Sequence, residues 1–175
     1  MSDLRYPIGK FDGAAPITPQ SRDAAIWDIT QLPDKLRTAV KGLSDAQLDT
    51  PYRPEGWTVR QLVHHLADSH LNAFVRVRLA LTEDNPTIKP YLEGKWAELS
   101  DSTSLAIEPS LQILDGLHTR WSAMLRSLRV GDFARTVVHP EHGRTLSIDF
   151  LTALYGWHCR HHVRHITALR EREGW

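Results

Sequence analysis

The sequence predicts an all-α protein, a four-helix bundle formed by one domain that spans residues 1–175. Four segments carry apolar residues at helical spacing, and each is bounded by capping or stop signals. No segment has the pattern of an extended sheet. A chain of 175 residues buries roughly 70% of its unfolded surface. It can therefore form a core without covalent staples.

The N-terminal region should consist of an irregular arm followed by the first helix. Residues 1–19 are rich in proline and glycine, which predicts the arm. The first helix should begin at Ser21 and continue to Leu43. Because Pro33 lacks an N–H and clashes with the preceding turn, we expect a kink or a break in this helix.

The second helix has the clearest start signal in the chain. Thr58-Val-Arg-Gln61 is a capping box, in which each side chain can bond the other residue's backbone N–H. The helix should continue to about Glu83, because Asn85-Pro86 cannot extend it.

Residues 84–108 form a long connection, with a short helical piece at GKWAEL. Pro109 suits the first turn of the third helix, which should end near Gly131. The connection exceeds twenty residues and is long enough to be a crossover. The second and third helices can therefore run parallel, which gives an up-down-down-up order.

The end of the chain should contain a small hairpin or loop and then the last helix. Residues 136–146 have β-branched flanks around a Pro/Gly turn. Ser147 is a suitable N-cap for the last helix, and Asp149 in its first turn is favoured by the helix dipole. Gly174 should end this helix.

Composition excludes several classes of protein. Lys plus Arg and Asp plus Glu are 21 each, so the basic excess of a nucleic-acid or anionic-membrane partner is absent. The sequence shows no signal-peptide core and no run of ~18 apolar residues. One cysteine, Cys159, excludes an intramolecular disulfide and favours a reducing compartment. We expect a cytoplasmic protein that binds neither nucleic acid nor membrane.

The stretch WHCRHHVRHI in the last helix holds four of the ten histidines. Positions four apart share a helix face, so the pairs His158/His162 and His161/His165 could each bind one metal ion. The first pair lies on the midline of the apolar stripe. Burying unpaired imidazole nitrogens there would be costly, and a metal ion would satisfy one nitrogen of each ring. Hydrogen bonds to core neighbours are the alternative.

Two histidines seldom suffice to hold a metal ion, so a third ligand must come from another element. The spacing of the remaining residues does not choose among the candidates. These are His64, His65 and His70 in the second helix, His118 in the third, and His139 and His142 in the loop.

A family resemblance indicates which histidine is the third ligand. The stretch LDTPYRPEGWTVRQLVHHLADSHLNAFVRVRLALTE, with WHCRHHVRHI downstream, resembles the DinB-like superfamily. Within that superfamily the chain is most similar to the YfiT-type group of metal-dependent hydrolases, which includes bacillithiol-transferase-like proteins. The similarity extends from YPIGKF to the terminal Gly-Trp.

The resemblance implies a four-helix bundle with a parallel middle pair, and a homodimer. It also implies one divalent metal ion per subunit, Zn²⁺ or Ni²⁺, held by three histidines. The family's ligand before Leu-Ala corresponds to His65, and its two last-helix ligands correspond to His158 and His162.

Three histidines leave a coordination position for water or substrate, which favours catalysis. Hydrolysis of a small molecule is the first expectation, with the metal lowering the pKa of bound water toward ~7. The alternative is S-transfer, in which a low-molecular-weight thiol such as bacillithiol attacks an electrophile. A non-catalytic metal-binding or stress-response bundle is the third. The sequence identifies no general acid or base.

Two other side chains near these histidines need an interpretation. Asp68 follows His65 by three residues and could orient its imidazole, or it could form a surface salt bridge. Cys159 lies off the ligand face, so we do not expect it to act as a nucleophile.

Overall fold

The computed structural model describes residues 3–175, except for the side chain of His142, and it confirms the four-helix bundle. In chain order the helices are α1 (Pro19–Val40), α2 (Asp45–Leu48), α3 (Val59–Thr82), α4 (Glu93–Trp96), α5 (Ser100–Ser104), α6 (Glu108–Ser127) and α7 (Ile148–Glu173). Between α6 and α7 lie strands β1 (Thr136–His139) and β2 (Arg144–Ser147), with 3-10 turns at Val130–Ala134 and Pro140–His142. The long helices α1, α3, α6 and α7 make the bundle.

Side-chain contacts at the helix ends show that α1 and α7 run parallel. Arg22 near the start of α1 is paired with Asp149 near the start of α7, with Nη2 and Oδ2 2.6 Å apart. Near the other end, Arg170 of α7 donates to the carbonyl of Ala39 of α1 at 2.8 Å. The first and last helices therefore point the same way.

The middle helices, α3 and α6, also run parallel to each other. His64 near the start of α3 bonds Ser110 near the start of α6 at 2.8 Å. The helix α7 is antiparallel to α3, because the Tyr155 hydroxyl donates to the Ser69 carbonyl at 3.2 Å while His162 contacts a residue nearer the start of α3. These directions confirm the predicted up-down-down-up order, with the crossover over residues 83–107.

The predicted break at Pro33 does not occur, since α1 is helical from residue 19 to residue 40. Proline removes the amide that would bond the carbonyl of Ile29, four residues earlier. That carbonyl accepts a hydrogen bond from Nδ1 of His118 on α6 instead. The bundle therefore supplies the donor that the helix lacks.

The start predicted for the first helix was also wrong by two residues. Thr18 is the N-cap and accepts from the backbone N–H of Ser21, so α1 begins at Pro19. Proline is tolerated in a first turn because its missing N–H would have no partner there. The irregular arm ends at Thr18, and residues 1 and 2 of the predicted arm lie outside the described residues.

Most other predicted boundaries agree with the structure. The Thr58 capping box opens α3, the hairpin β1–β2 forms, and Ser147 and Gly174 cap α7. The third long helix ends at Ser127 rather than near Gly131, which lies in a 3-10 turn. The helices α2 and α5 were not predicted, because four or five residues are too few to show a period.

The buried apolar side chains of the four long helices form one contiguous cluster. Its largest fully buried members include Trp121, Leu66, Leu114 and Ile166. Among the described residues, the helices are all too short or too polar to cross a membrane.

Candidate metal centre

The structure brings together the three histidines that the resemblance implied as ligands. His65 on α3 and His158 and His162 on α7 each offer a ring nitrogen, and these nitrogens all lie within 4.8 Å of one another. The ring centroids of His158 and His162 are 4.3 Å apart, and that of His65 is 5.5 Å and 5.2 Å from them. The antiparallel packing of α3 against α7 produces this arrangement.

The two α7 histidines face each other through the same ring atom. Nε2 of His158 and Nε2 of His162 are 3.0 Å apart. Two nitrogens bound at ~2.1 Å to one ion, at right angles, are separated by about 3 Å. The spacing therefore suits a shared metal ion.

Burial keeps these imidazoles neutral. His65 and His162 are only 6% and 7% exposed. Burial lowers the pKa of His65 to about 4. The pKa values of His158 and His162 are well below the ordinary value, first because of burial and then because of neighbouring histidines. Neutral imidazole is the form that binds a metal ion, so protons do not compete for the site at neutral pH.

These observations test whether the histidines fit a metal ion. The alternative from the sequence was a pair of core histidines hydrogen-bonded to neighbours. Nδ1 of His158 is indeed bonded to His70, and Nδ1 of His162 lies 3.4 Å from Nδ1 of His165. The Nε2 atoms of His158 and His162 face each other at 3.0 Å, a contact that either one N–H···N hydrogen bond between neutral rings or a shared metal ion satisfies. A ring nitrogen of His65 also lies within 4.8 Å of a nitrogen of each, and this third convergent donor favours the metal ion.

The other candidate ligands lie elsewhere or have partners. His64 bonds Ser110 and the carbonyl of Leu105. Both ring nitrogens of His70 and of His118 have hydrogen-bond partners. His139 is buried outside the two histidine groups that could hold an ion, and the side chain of His142 lies outside the described residues.

A second group of ring nitrogens within 4.8 Å contains His161, His162 and His165. It includes the pair His161/His165 that the sequence left open. Nε2 of His165 donates to the carbonyl of Arg5 at 3.2 Å, and its Nδ1 contacts His162. Because Nε2 of His165 is held by a backbone carbonyl, whereas the Nε2 atoms of His158 and His162 face each other, the first group is better suited to an ion.

An open cavity of about 450 Å³ gives access to the first group. Besides the three histidines, it is lined by Tyr52, Arg53, Glu55, Gly56, Trp57, Glu93, Trp157 and His161. The indole of Trp57 packs on His65 at 4.7 Å, and that of Trp157 stacks on His161 at 4.2 Å. Most of the remaining lining comes from the α2–α3 loop and α4, where no periodicity in the sequence could have indicated it.

Asp68 does not orient the His65 ring. Its side chain makes no hydrogen bond to His65 in the part of the chain that the structure describes, and its pKa is raised by burial and by Asp101. The positioning contacts at the site come from other histidines, which the sequence alone could not pair. Cys159 is buried, and burial raises the pKa of its thiol well above the ordinary value, which agrees with the expectation that it is not a nucleophile.

Comparison with known proteins agrees with this site and fold. Residues 28–166 match the DinB superfamily. A protein of Bacillus cereus (strain B4264) and one of Bacillus thuringiensis subsp. konkukian (strain 97-27), both named "Putative metal-dependent hydrolase", are 54% identical to this chain over 175 residues, the full length of each.

The solved structure of YfiT from Bacillus subtilis aligns with a TM-score of 0.94 at 46% identity and covers 98% of each chain. That protein is described as a probable metal-dependent hydrolase with an unusual four-helix bundle topology. Because the family match covers most of the chain and the relatives align over its whole length, the protein belongs to the DinB superfamily.

Proposed function

We propose that the protein is a metal-dependent hydrolase in which His65, His158 and His162 hold one divalent ion, Zn²⁺ or Ni²⁺. The supporting observation is that three neutral imidazoles, two buried and one half-buried, converge at an open cavity. A structural zinc site normally closes with four protein ligands, whereas a catalytic site keeps a position open. The names of the relatives support the same function.

The histidines and Trp57 have different roles in the proposed reaction. His65, His158 and His162 would hold a divalent ion at the cavity. Such an ion would polarise a carbonyl or similar oxygen of the substrate and make water a stronger nucleophile at neutral pH. Trp57 packs against the His65 ring, with the ring centroids 4.7 Å apart, and helps to hold that ring in place. Imidazole ligands suit both zinc and nickel, so the availability of each metal ion in the cell decides which one is bound.

Arg53 favours a polar substrate. This residue lines the same cavity, and the buried Nε of its side chain has no hydrogen-bond partner among the described residues. A donor left unpaired in a cavity wall is satisfied when a ligand brings an acceptor. We therefore propose a small-molecule substrate with an oxygen acceptor near the bond that is cleaved.

The test is turnover by metal-loaded protein. Purified protein is stripped of metal, loaded with one equivalent of Zn²⁺ or Ni²⁺, and assayed against esters, amides and thiol–electrophile pairs. Hydrolysis by the loaded protein that disappears in His162→Ala but persists in His64→Ala supports the proposal. Turnover of thiol–electrophile pairs alone would replace hydrolysis by S-transfer. Metal binding without any turnover would favour the non-catalytic alternative.

For the assembly we propose a homodimer. Leu71 and Val75, one turn apart on α3, are 48% and 46% exposed, and such apolar side chains favour self-association. Sedimentation velocity of the wild type and of the Val75→Lys variant tests this, and a monomeric wild type would contradict it.

A further inference from the structure

A row of histidines connects the metal centre to the backbone of α1. Nδ1 of His158 is 2.9 Å from Nε2 of His70, and Nδ1 of His70 is 2.9 Å from Nε2 of His118. Nδ1 of His118 is hydrogen-bonded to the carbonyl oxygen of Ile29. That oxygen is available because Pro33 has no N–H to give it.

The carbonyl end of this row determines where the protons are. A carbonyl only accepts, so Nδ1 of His118 must carry the proton. In a neutral ring Nε2 is then an acceptor, so Nδ1 of His70 must donate to it. By the same step, Nδ1 of His158 donates to Nε2 of His70. The Nε2 atom of His158 is left with a free lone pair.

Burial supports the neutral form of each ring in the row. His70 and His118 are 0% and 1% exposed, and an imidazolium charge buried in such a core is costly. Each ring therefore carries one N–H proton at neutral pH. The alternation of donor Nδ1 and acceptor Nε2 atoms along the row is then not interrupted by an imidazolium, which has two donors.

The second α7 histidine is not fixed in this way. Nε2 of His165 donates to the carbonyl of Arg5 at 3.2 Å, so Nδ1 of His165 is an acceptor. His162 can give its one proton to Nδ1 of His165 at 3.4 Å or to Nε2 of His158 at 3.0 Å. The row from Ile29 therefore determines the tautomer of His158 alone.

We propose that a histidine relay anchored on the carbonyl of Ile29 sets the tautomer of His158 before metal binds, so that this ring presents Nε2. His70 and His118 are the positioning residues in this relay. Outer partners that fix a ligand's tautomer are usually carboxylates, carbonyls or water. Here histidines carry the constraint from α1 through α6 and α3 to α7. This role rests on the proposed metal function, whereas the proton assignment does not.

The proton assignment is tested first, on metal-free wild-type protein with ¹⁵N-labelled histidine. Long-range ¹H–¹⁵N correlation spectra distinguish Nδ1–H from Nε2–H rings. We expect Nδ1–H for His70, His118 and His158, and Nε2–H for His165. A ring of His70 or His118 protonated at Nε2 would overturn the relay. Since no metal is present, this result is independent of the proposed function.

The positioning role is tested by two variants of His70. His70→Leu removes the acceptor for His158, and we expect 10–100-fold weaker zinc binding in chelator competition. His70→Gln keeps an acceptor at the Nε2 position and should recover most of that loss. Circular dichroism and melting of the metal-free variants establish that both fold.

The outcomes separate the two proposals. A wild-type protein without zinc or nickel affinity would overturn the proposed function. Tight binding by the wild type that a folded His70→Leu variant matches would overturn the relay's role alone. If His70→Leu does not fold, the tautomers of the wild type still decide the assignment.

Discussion

Gly156 of α7 lies directly against Ala25 of α1. A Cβ atom added to Gly156 would come within 2.7 Å of both the Cα and the Cβ of Ala25. Real Cβ atoms do not approach backbone so closely, so the two parallel helices depend on this glycine for their spacing. Gly156 precedes His158 by two residues, and the close approach therefore also positions the turn that carries the proposed ligands.

The substitution Gly156→Ala should destabilise the protein by about 1–3 kcal/mol, because the added methyl group must push α7 away from α1. Chemical denaturation followed by circular dichroism measures the change. Zinc affinity should fall as well, since the ligand-bearing turn moves. An unchanged free energy of unfolding would contradict the packing described here.

Gly116 on α6 supplies the matched control. A Cβ atom at this helical position would meet nothing within 4 Å. Gly116→Ala should therefore stabilise the protein by about 0.5–1 kcal/mol, because alanine loses less backbone entropy in a helix. Destabilisation by this variant would show that helix spacing alone does not explain the effect at Gly156.

The stability of the metal-free protein should fall in mild acid. The pKa values of His65, His118, His161 and His165 are lowered to about 4, largely by burial. An unfolded histidine has a pKa of about 6.5. The unfolded state binds more protons in this range. The contribution of the neutral histidines to the stability is therefore fully present above pH 6.5 and is lost as the pH falls toward 4.

Each such histidine contributes a slope of about 1.4 kcal/mol per pH unit between its two pKa values. Melting curves of the metal-free protein at pH 7, 6 and 5 test the prediction. A melting temperature that stays constant over this range would contradict the prediction. It would mean that the histidines have nearly the same pKa in the folded and the unfolded protein.

Cys159 should be unreactive in the folded protein. The thiol is buried, and its pKa is raised well above the ordinary value by burial, so little thiolate is present. A chromogenic thiol reagent should label it slowly in buffer and rapidly in denaturant. Cys159→Ala should also retain zinc affinity, whereas a loss of bound zinc would give the sulfur a part in the site.

The sequence predicted the long elements because their signals are local. The Thr58 capping box and the Ser147 N-cap each depend on a few neighbouring residues, and both hold in the structure. The absence of a break at Pro33 has a non-local cause, since the carbonyl that proline leaves unpaired receives its donor from His118, far along the chain. Local rules cannot include a hydrogen bond that another helix supplies.

The candidate site also contains residues that the sequence predicts and residues that only the folded structure brings together. The i, i+4 spacing of His158 and His162 and their place on the apolar stripe could be read from one helix. Selecting His65 over His64 required the family resemblance, because adjacent positions of α3 both lie inside the bundle. The relay residues have no sequence signature, because their pairing arises only when α1, α3, α6 and α7 pack together.

The three proposed ligands should be individually necessary for tight binding. Replacing His65, His158 or His162 by alanine should remove most of the bound metal, because two imidazoles seldom retain an ion. His64→Ala is the matched control, since it removes a buried histidine from the adjacent position of α3. Circular dichroism of each variant confirms that the bundle is retained.

The most direct test of the metal centre is the metal content of the protein by mass spectrometry after loading with zinc or nickel and removal of excess ion. We predict about one ion per chain for the wild type and for His64→Ala, and little for His65→Ala, His158→Ala and His162→Ala. No bound metal in the wild type, or equal loss in His64→Ala, would contradict the three-histidine site and the hydrolase built on it.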